Sequence, residues 1–264
     1  MPIIIISRGS LTHGAEIAEA LAEKLNFRCF SREILLEASD QFDEPEIMLQ
    51  RAIEDEPSFF DRLSKRKEKY LCYIRAALLK RLQQDNVIYH GYSGHFFVKD
   101  VPNVLKVRIT ASTEARVELI RKRELVSEKE ALRILSRVDT ARRKWGEYFY
   151  GIDPGDPSLF DMVLRIENMT TGDVVELIAK AIQLPCFQLT SASRKRLRDL
   201  YAEAQIMAHM AEGFPPIRHV SVDEGEVTLV FEATMKEKQR ILPLVEGILH
   251  RIEGIQNYRI QLKH

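Results

Sequence analysis

The most restrictive feature of this chain stands near its start: PIIIISRGSLTHGAEIAEALAEKL. A β-branched run, a glycine-bearing turn and an amphipathic repeat follow one another without a gap. The continuous apolar run from Pro2 to Ile6 suits a strand buried on both faces, as in a parallel sheet. From Gly14 on, Ile17, Ala18, Leu21, Ala22 and Leu25 recur at helical spacing. A strand feeding a helix through Gly9-Ser-Leu-Thr-His-Gly14 has the layout of a phosphate-binding loop, whose backbone N–H groups surround an anion at a helix N-terminus. The spacing GxxxxG is there, but Ala15 and Glu16 follow where such a loop carries lysine and a hydroxyl residue. On spacing alone an ordinary strand-to-helix turn fits as well.

The same alternation continues. Asn26–Arg32 has the pattern of a short strand, and the acidic segment from Glu33 to Arg62 that of two or three short helices. A long helix marked by Tyr70, Leu71, Ile74, Leu78, Leu79 and Leu82 leads to strands at Asn86–His90, Asn103–Ala111 and Asp161–Ile166. A charged helical stretch to about Arg143 lies between the last two, and a helix from Thr171 to Ile182 follows. Strands alternating with helices predict an α/β layer with a mostly parallel sheet flanked by helices. After Ile182 the pattern changes. LPCFQLTSAS has linker composition. It is followed by a helix (Arg194–Glu212), a hairpin around Asp-Glu-Gly, a helix (about Lys236–Arg251) and a strand (Tyr258–Leu262). Two domains are expected, 1–184 and a small α+β unit over 191–264.

Composition bounds the functions. Lys+Arg and Asp+Glu both number 39 in 264 residues, so no global field draws the chain to nucleic acid. The three cysteines lack CxxC spacing, which speaks against a zinc site or a disulfide framework. No apolar run approaches a bilayer span, and PIIII lacks the basic leader and cleavage site of a signal peptide. A cytoplasmic protein is expected.

Several stretches together resemble the cytidylate kinase-like family, a P-loop branch of the nucleoside monophosphate kinases, from residue 3 to about 182. Ile6-Ser7-Arg8, Glu16-Ile17-Ala18 and Ala20–Leu25 match its opening, and Ser31-Arg32-Glu33-Ile34 resembles its DREII. Val87–Gly91, Leu105–Arg116, Ser127–Ala131, Asp139-x-x-Arg142 with Tyr148, Phe149 and Tyr150, and Asp156–Asp161 follow in the family's order. The resemblance implies ATP-dependent phosphorylation of a CMP-like nucleotide with Mg2+. Donor phosphates would be held by Ser7, Gly9, Ser10, Thr12, His13 and Gly14, with Arg116 and Arg143. Arg142 would be the catalytic cation of the lid, with Arg8 replacing the missing loop cation, and Arg32 and Asp161 would bind substrate. Departures fall on functional positions. The family's GSGGR becomes Leu11–Ala15, Tyr92 stands where an arginine is usual, and Arg165 and Ser31 replace an asparagine and an acidic residue.

Two further readings stay open beside the kinase: an impaired kinase that binds a nucleotide or anion as sensor or scaffold, and a protein acting only through interaction. The C-terminal unit resembles a BON domain through Val220-x-Val222, Gly225-x-Val227-x-Leu229 and Gly254-Ile255. That resemblance implies docking to a protein, ligand or membrane surface, or pairing with a second copy. His13, His90 and His95 flank one expected cleft, without the carboxylates of a metal site. Trp145 and its aromatic neighbours are expected to form a local hydrophobic cluster ahead of a base-stacking platform.

Overall fold

A computed structural model describes residues 2–8, 13–56, 66–91, 93–99, 101–215, 217–232 and 234–263. The opening run is the strand β1 (Ile3–Arg8), and it occupies the centre of a five-stranded sheet. Its partners are β2 (Arg28–Phe30), β3 (Val87–Gly91), β4 (Val104–Ala111) and β5 (Met162–Ile166), in the order β2-β3-β1-β4-β5. Every pairing is parallel, with Ile5 beside Tyr89 on one side and Lys106 on the other. Alternate side chains of a strand leave by opposite faces, so the four isoleucines serve two cores. Ile3 and Ile5 join Val87 and Tyr89 in one, while Ile4 and Ile6 join Ile88, Leu105, Val107 and Ile109 in the other.

Helix α1 (Gly14–Leu25) packs beside α8 (Thr171–Ala181) on the second face, through Ile17, Leu21, Val174 and Ile178. The first face is covered by α2 (Glu33–Phe42), α3 (Glu46–Glu54), α4 (Arg66–Leu82) and the single turn α5 (Gly94–Phe97). The charged stretch expected as one helix is two: α6 (Thr113–Glu124) and α7 (Glu128–Tyr150). Leu125 breaks it in the left-handed region at φ 55°, and the Ser127 hydroxyl restarts it by accepting the Glu130 N–H. Gly151 at φ 68° ends α7.

The segment of linker composition is structured. Pro185–Phe187 forms a 3-10 turn, and Thr190 with Ser193 makes a reciprocal capping box for α9 (Ser191–His209). Those hydroxyls therefore start a helix three residues earlier than the apolar pattern indicates. The strands β6 (Ile217–Asp223) and β7 (Glu226–Glu232) form the expected hairpin, turning through Glu224 and Gly225 with positive φ at both, as a type I′ turn requires. Helix α10 (Met235–Leu249) crosses to β8 (Asn257–Lys263), which runs parallel to β7.

One helix serves both halves of the chain. Leu197, Leu200, Ala204 and Ala208 of α9 lie in the first core with α4, whereas Ala202 and Ile206 lie in the core of the second sheet with Leu229, Phe231 and Ile241. Polar contacts follow the same seam. Lys69 of α4 is paired with Glu44 and with Glu212, just past α9. Glu203 accepts the Val222 N–H of β6 and faces Arg75 of α4 at 3.8 Å.

Candidate functional site

The carboxyl end of a parallel sheet is where ligands of open α/β folds collect. Here that edge is formed by Ser7 on β1, buried at 3% exposure and in register between Gly91 of β3 and Arg108 of β4. Residues paired in register share a face, so Ser7, Gly91 and Arg108 all look toward the α2–α5 side. Arg8 closes β1 opposite Ile109, and of this residue the backbone alone is described. Gly9, Ser10 and Thr12, with Leu11, lie outside the described residues, as does Tyr92.

Past the turn, Gly14 is the buried first residue of α1. His13 at its N-cap makes no capping hydrogen bond with its side chain and pairs with Glu16 at 2.7 Å. The first N–H groups of a helix have no intrahelical acceptor, and the helix dipole favours an anion there. Ser7 and Gly14 thus stand on either side of residues 9–12 at the carboxyl edge, and Ala15 brings no cation there.

The other expected residues disperse over the surrounding elements. Arg116 of α6 is joined to Asp139 of α7 at 2.6 Å and bridges the two helices. Arg32, at the start of α2, makes an exposed pair with Glu54 of α3 at 3.3 Å. Asp161 is tied to β4: its carboxylate accepts the Lys106 N–H at 2.8 Å, while its own N–H donates to the Lys106 oxygen. Arg142 is partly buried on α7 and Arg143 beside it is exposed. Arg165 forms an exposed pair with Glu167.

The three histidines do not form one constellation. His90 alternates to the α1 face of β3, while His95 lies across the sheet against Phe96 and Phe160, at centroid distances of 4.2 and 4.8 Å. His95 is 2% exposed, and neither ring nitrogen has a hydrogen-bond partner among the described residues. Burial, then the nearby Arg108 and Lys106 charges, push its pKa down to about 3, so the imidazole is neutral. Next to it Ser93 is fully buried at φ 71°, its hydroxyl also without a partner among the described residues. The turn holding both is shaped by the Tyr89 ring, which a Cβ at Gly94 would meet at 2.5 Å.

Sequence reasoning missed Arg108. Its guanidinium lies 5.6 Å over the Phe160 ring and donates to the Pro154 oxygen at 3.1 Å, beside Ser7 at the sheet edge. The signal was present in LKVRITA, where an arginine interrupts a strand at the position whose face carries Ile5 and Ser7. Trp145 resolves as the expected cluster. It is 1% exposed, with Phe149 at 5.1 Å and Tyr150 at 5.6 Å, and Tyr150 in turn stacks on Phe96 at 4.1 Å.

A five-stranded parallel sheet with β1 at its centre, α1 next in the chain and helices on both faces is an α/β architecture of the doubly wound kind. The family model of the cytidylate kinase-like family matches residues 3–168, and the chain belongs to that family. It is 32% identical over 102 residues to a cytidylate kinase of Methanosarcina acetivorans, covering 38% of this chain and 56% of that one. To a cytidylate kinase of Sulfurisphaera tokodaii it is 30% identical over 96 residues, covering 36% of this chain and 52% of that one. The chain thus spans about half the length of these relatives. A longer match, 27% identical over 177 residues, reaches 87% of a cytidylate kinase of Archaeoglobus fulgidus and 64% of this chain. Among solved structures, an uncharacterized protein from Eubacterium ventriosum shares the fold with a TM-score of 0.54 at 20% identity, over 69% of this chain and 98% of that one. No helix among the described residues is long and apolar enough to cross a membrane.

Proposed function

We propose that this chain is a nucleoside monophosphate kinase-type transferase that moves the γ-phosphoryl group of ATP to a cytidylate-like acceptor. The observation that carries this reading is membership of the family over residues 3–168, with the family's strand–turn–helix seated on the central strand. An acceptor phosphate oxygen would attack the γ-phosphorus as the bond to the β,γ-bridging oxygen breaks and ADP leaves. Little covalent chemistry then falls to the protein, and catalysis is positioning and charge stabilisation. The backbone from Ser7 to Gly14 would hold the donor phosphates at the α1 N-terminus. Arg142 on α7 would meet the transferring group, and Arg32 and Asp161 would lie on the acceptor side. Mg2+ would enter on the phosphates of ATP. Among the described residues no group of three His, Cys, Asp or Glu side chains could hold a metal by itself, and a nucleotide-borne Mg2+ needs only one or two protein oxygens.

The missing loop cation favours a second reading, in which the chain binds nucleotide without efficient turnover. A coupled assay of the purified chain with ATP, Mg2+ and each nucleoside monophosphate separates the two. Turnover of about 1–100 per second with one pyrimidine monophosphate supports the transferase, because kinases ordinarily run at that rate. Calorimetric binding without turnover supports the binder, and no binding of any nucleotide sinks both and leaves an interaction role. In the active case Arg142→Ala lowers kcat by about 100-fold or more, the loss typical when a transition-state charge partner is removed. The C-terminal unit is in our reading a BON-like docking module held against α4.

A further inference from the structure

Helix α7 has apolar seats at two separate places, with the Arg116–Asp139 bridge to α6 between them. Toward its N-terminus Ala131 and Leu135 pack with Val117 and Ile120 of α6 in a small core of their own. Toward its C-terminus the buried Trp145 indole N–H donates to the main-chain oxygen of Ala52, in α3, at 2.8 Å. No residue of α7 between Leu135 and Trp145 is buried. Arg142 lies in that intervening stretch.

The α3 end of the contact is itself well held. The Lys144 ammonium pairs with Glu56 at 2.6 Å, and Lys67 of α4 donates to the oxygens of Asp55 and Glu56 at 3.1 and 3.0 Å. The last carbonyls of a helix have no intrahelical donor, so α4 and α7 supply donors that the end of α3 lacks. Behind Trp145, Gly146 is packed so closely on Pro154 that a Cβ there would run into the proline ring. Helical geometry also separates the two lid arginines. Arg142 lies about 60° around the axis from Trp145 and Arg143 about 160°. Arg142 therefore shares the side turned to α3, in keeping with its partial burial, and Arg143 does not.

We propose that Trp145 is a positioning residue for Arg142. Through its bond to Ala52 the part of α7 from Arg142 onward moves with α3 as one body, so a displacement of α3 on the acceptor side carries Arg142 with it. The chemical role of Arg142 rests on the transferase reading; the mechanical coupling of α3 to α7 does not.

The test uses the full chain with Trp145→Phe, which keeps an aromatic ring and removes the donor. Hydrogen exchange read by mass spectrometry should show amides of 46–54 and of 136–144 both exchanging at least about tenfold faster, roughly what losing one buried hydrogen bond releases. Peptides covering 117–131 should not change. Acceleration in 46–54 alone, or in neither segment, overturns the coupling whether or not the protein turns over. In an active enzyme kcat falls about tenfold, again the worth of one hydrogen bond, while KM for both substrates holds. The substitution then adds nothing in an Arg142→Ala background; additive losses overturn the positioning role. If the wild type shows no turnover, the transferase reading falls and the exchange result alone decides the coupling. Should circular dichroism show the phenylalanine variant unfolded, exchange of the wild-type chain in rising sub-denaturing urea decides instead. Amides of 46–54 and 136–144 should then open with one shared urea dependence, and different dependences overturn the coupling.

Discussion

At the scale of single residues, His95 is the most informative group. A buried polar atom left without a partner costs about 1–3 kcal/mol, and among the described residues this imidazole carries two such atoms beside an unpartnered Ser93 hydroxyl. Its folded-state pKa of about 3 lies below the ordinary 6.5. Between those values the unfolded chain binds a proton that the folded chain refuses, so stability is full above about pH 6.5 and falls as pH drops toward 3. The slope reaches about 1.4 kcal/mol per pH unit. Urea midpoints of the wild type and His95→Gln, taken from pH 4 to 7, should therefore diverge, with the wild type losing more on acidification. Parallel curves would remove His95 as the cause. How much the sequence shows at this scale depends on the residue. Ser7 and Gly14 could be placed from the loop spacing, because backbone geometry follows directly from strand, turn and helix. Arg108 could not, because its significance lies in its lateral neighbour Ser7, a pairing that crosses about a hundred residues of chain.

At the scale of elements, α9 carries two apolar stripes, and periodicity reports burial without saying against what. Leu197, Leu200, Ala204 and Ala208 read as one helical face and are one, but the face belongs to the first core, while Ile206 turns to the second. The strands were legible within a residue or two, since β-branched runs bounded by turns have few alternatives. The split between α6 and α7 was hidden by uniformly high charge, which blurs a boundary that Ser127 fixes by capping. Sharing α9 has a measurable result. Trp145 is the chain's only tryptophan and sits in the first core, so its fluorescence reports unfolding there. Ile206→Ala, in the second core, should cost about 2–5 kcal/mol and lower the urea midpoint of the Trp145 signal together with that of far-UV circular dichroism. An unchanged Trp145 transition would mean that the two cores unfold separately.

At the scale of the whole molecule, the seam between α4 and α9 combines apolar packing with Lys69 set between Glu44 and Glu212. Burial acts against the ammonium, but the two carboxylates hold its pKa above the ordinary lysine value. Removing residues 185–264 strips α4 of this cover and of Glu203, the carboxylate facing Arg75. A fragment ending at residue 184 should melt more than about 10 °C below the full chain, a shift of several kcal/mol for a domain of this size, or fail to stay in solution. Equal melting temperatures by differential scanning calorimetry would show the seam to be passive. A boundary in composition near residue 184 is plain in the sequence. The contacts that seat α9 on α4 across it are not, because pairs such as Lys69 with Glu212 and Arg75 with Glu203 join residues far apart in the chain.

The two-sided helix α9 also bears on how the chain is made. Synthesis runs from the N-terminus, and every strand of the larger sheet has left the ribosome by residue 166. Leu197, Leu200, Ala204 and Ala208, which close its first core, have not. Through that interval α4 presents an apolar face with no cover, the kind of transiently exposed surface that draws chaperones or leads to aggregation. The larger unit, though translated first, cannot finish folding until the smaller one has begun to appear.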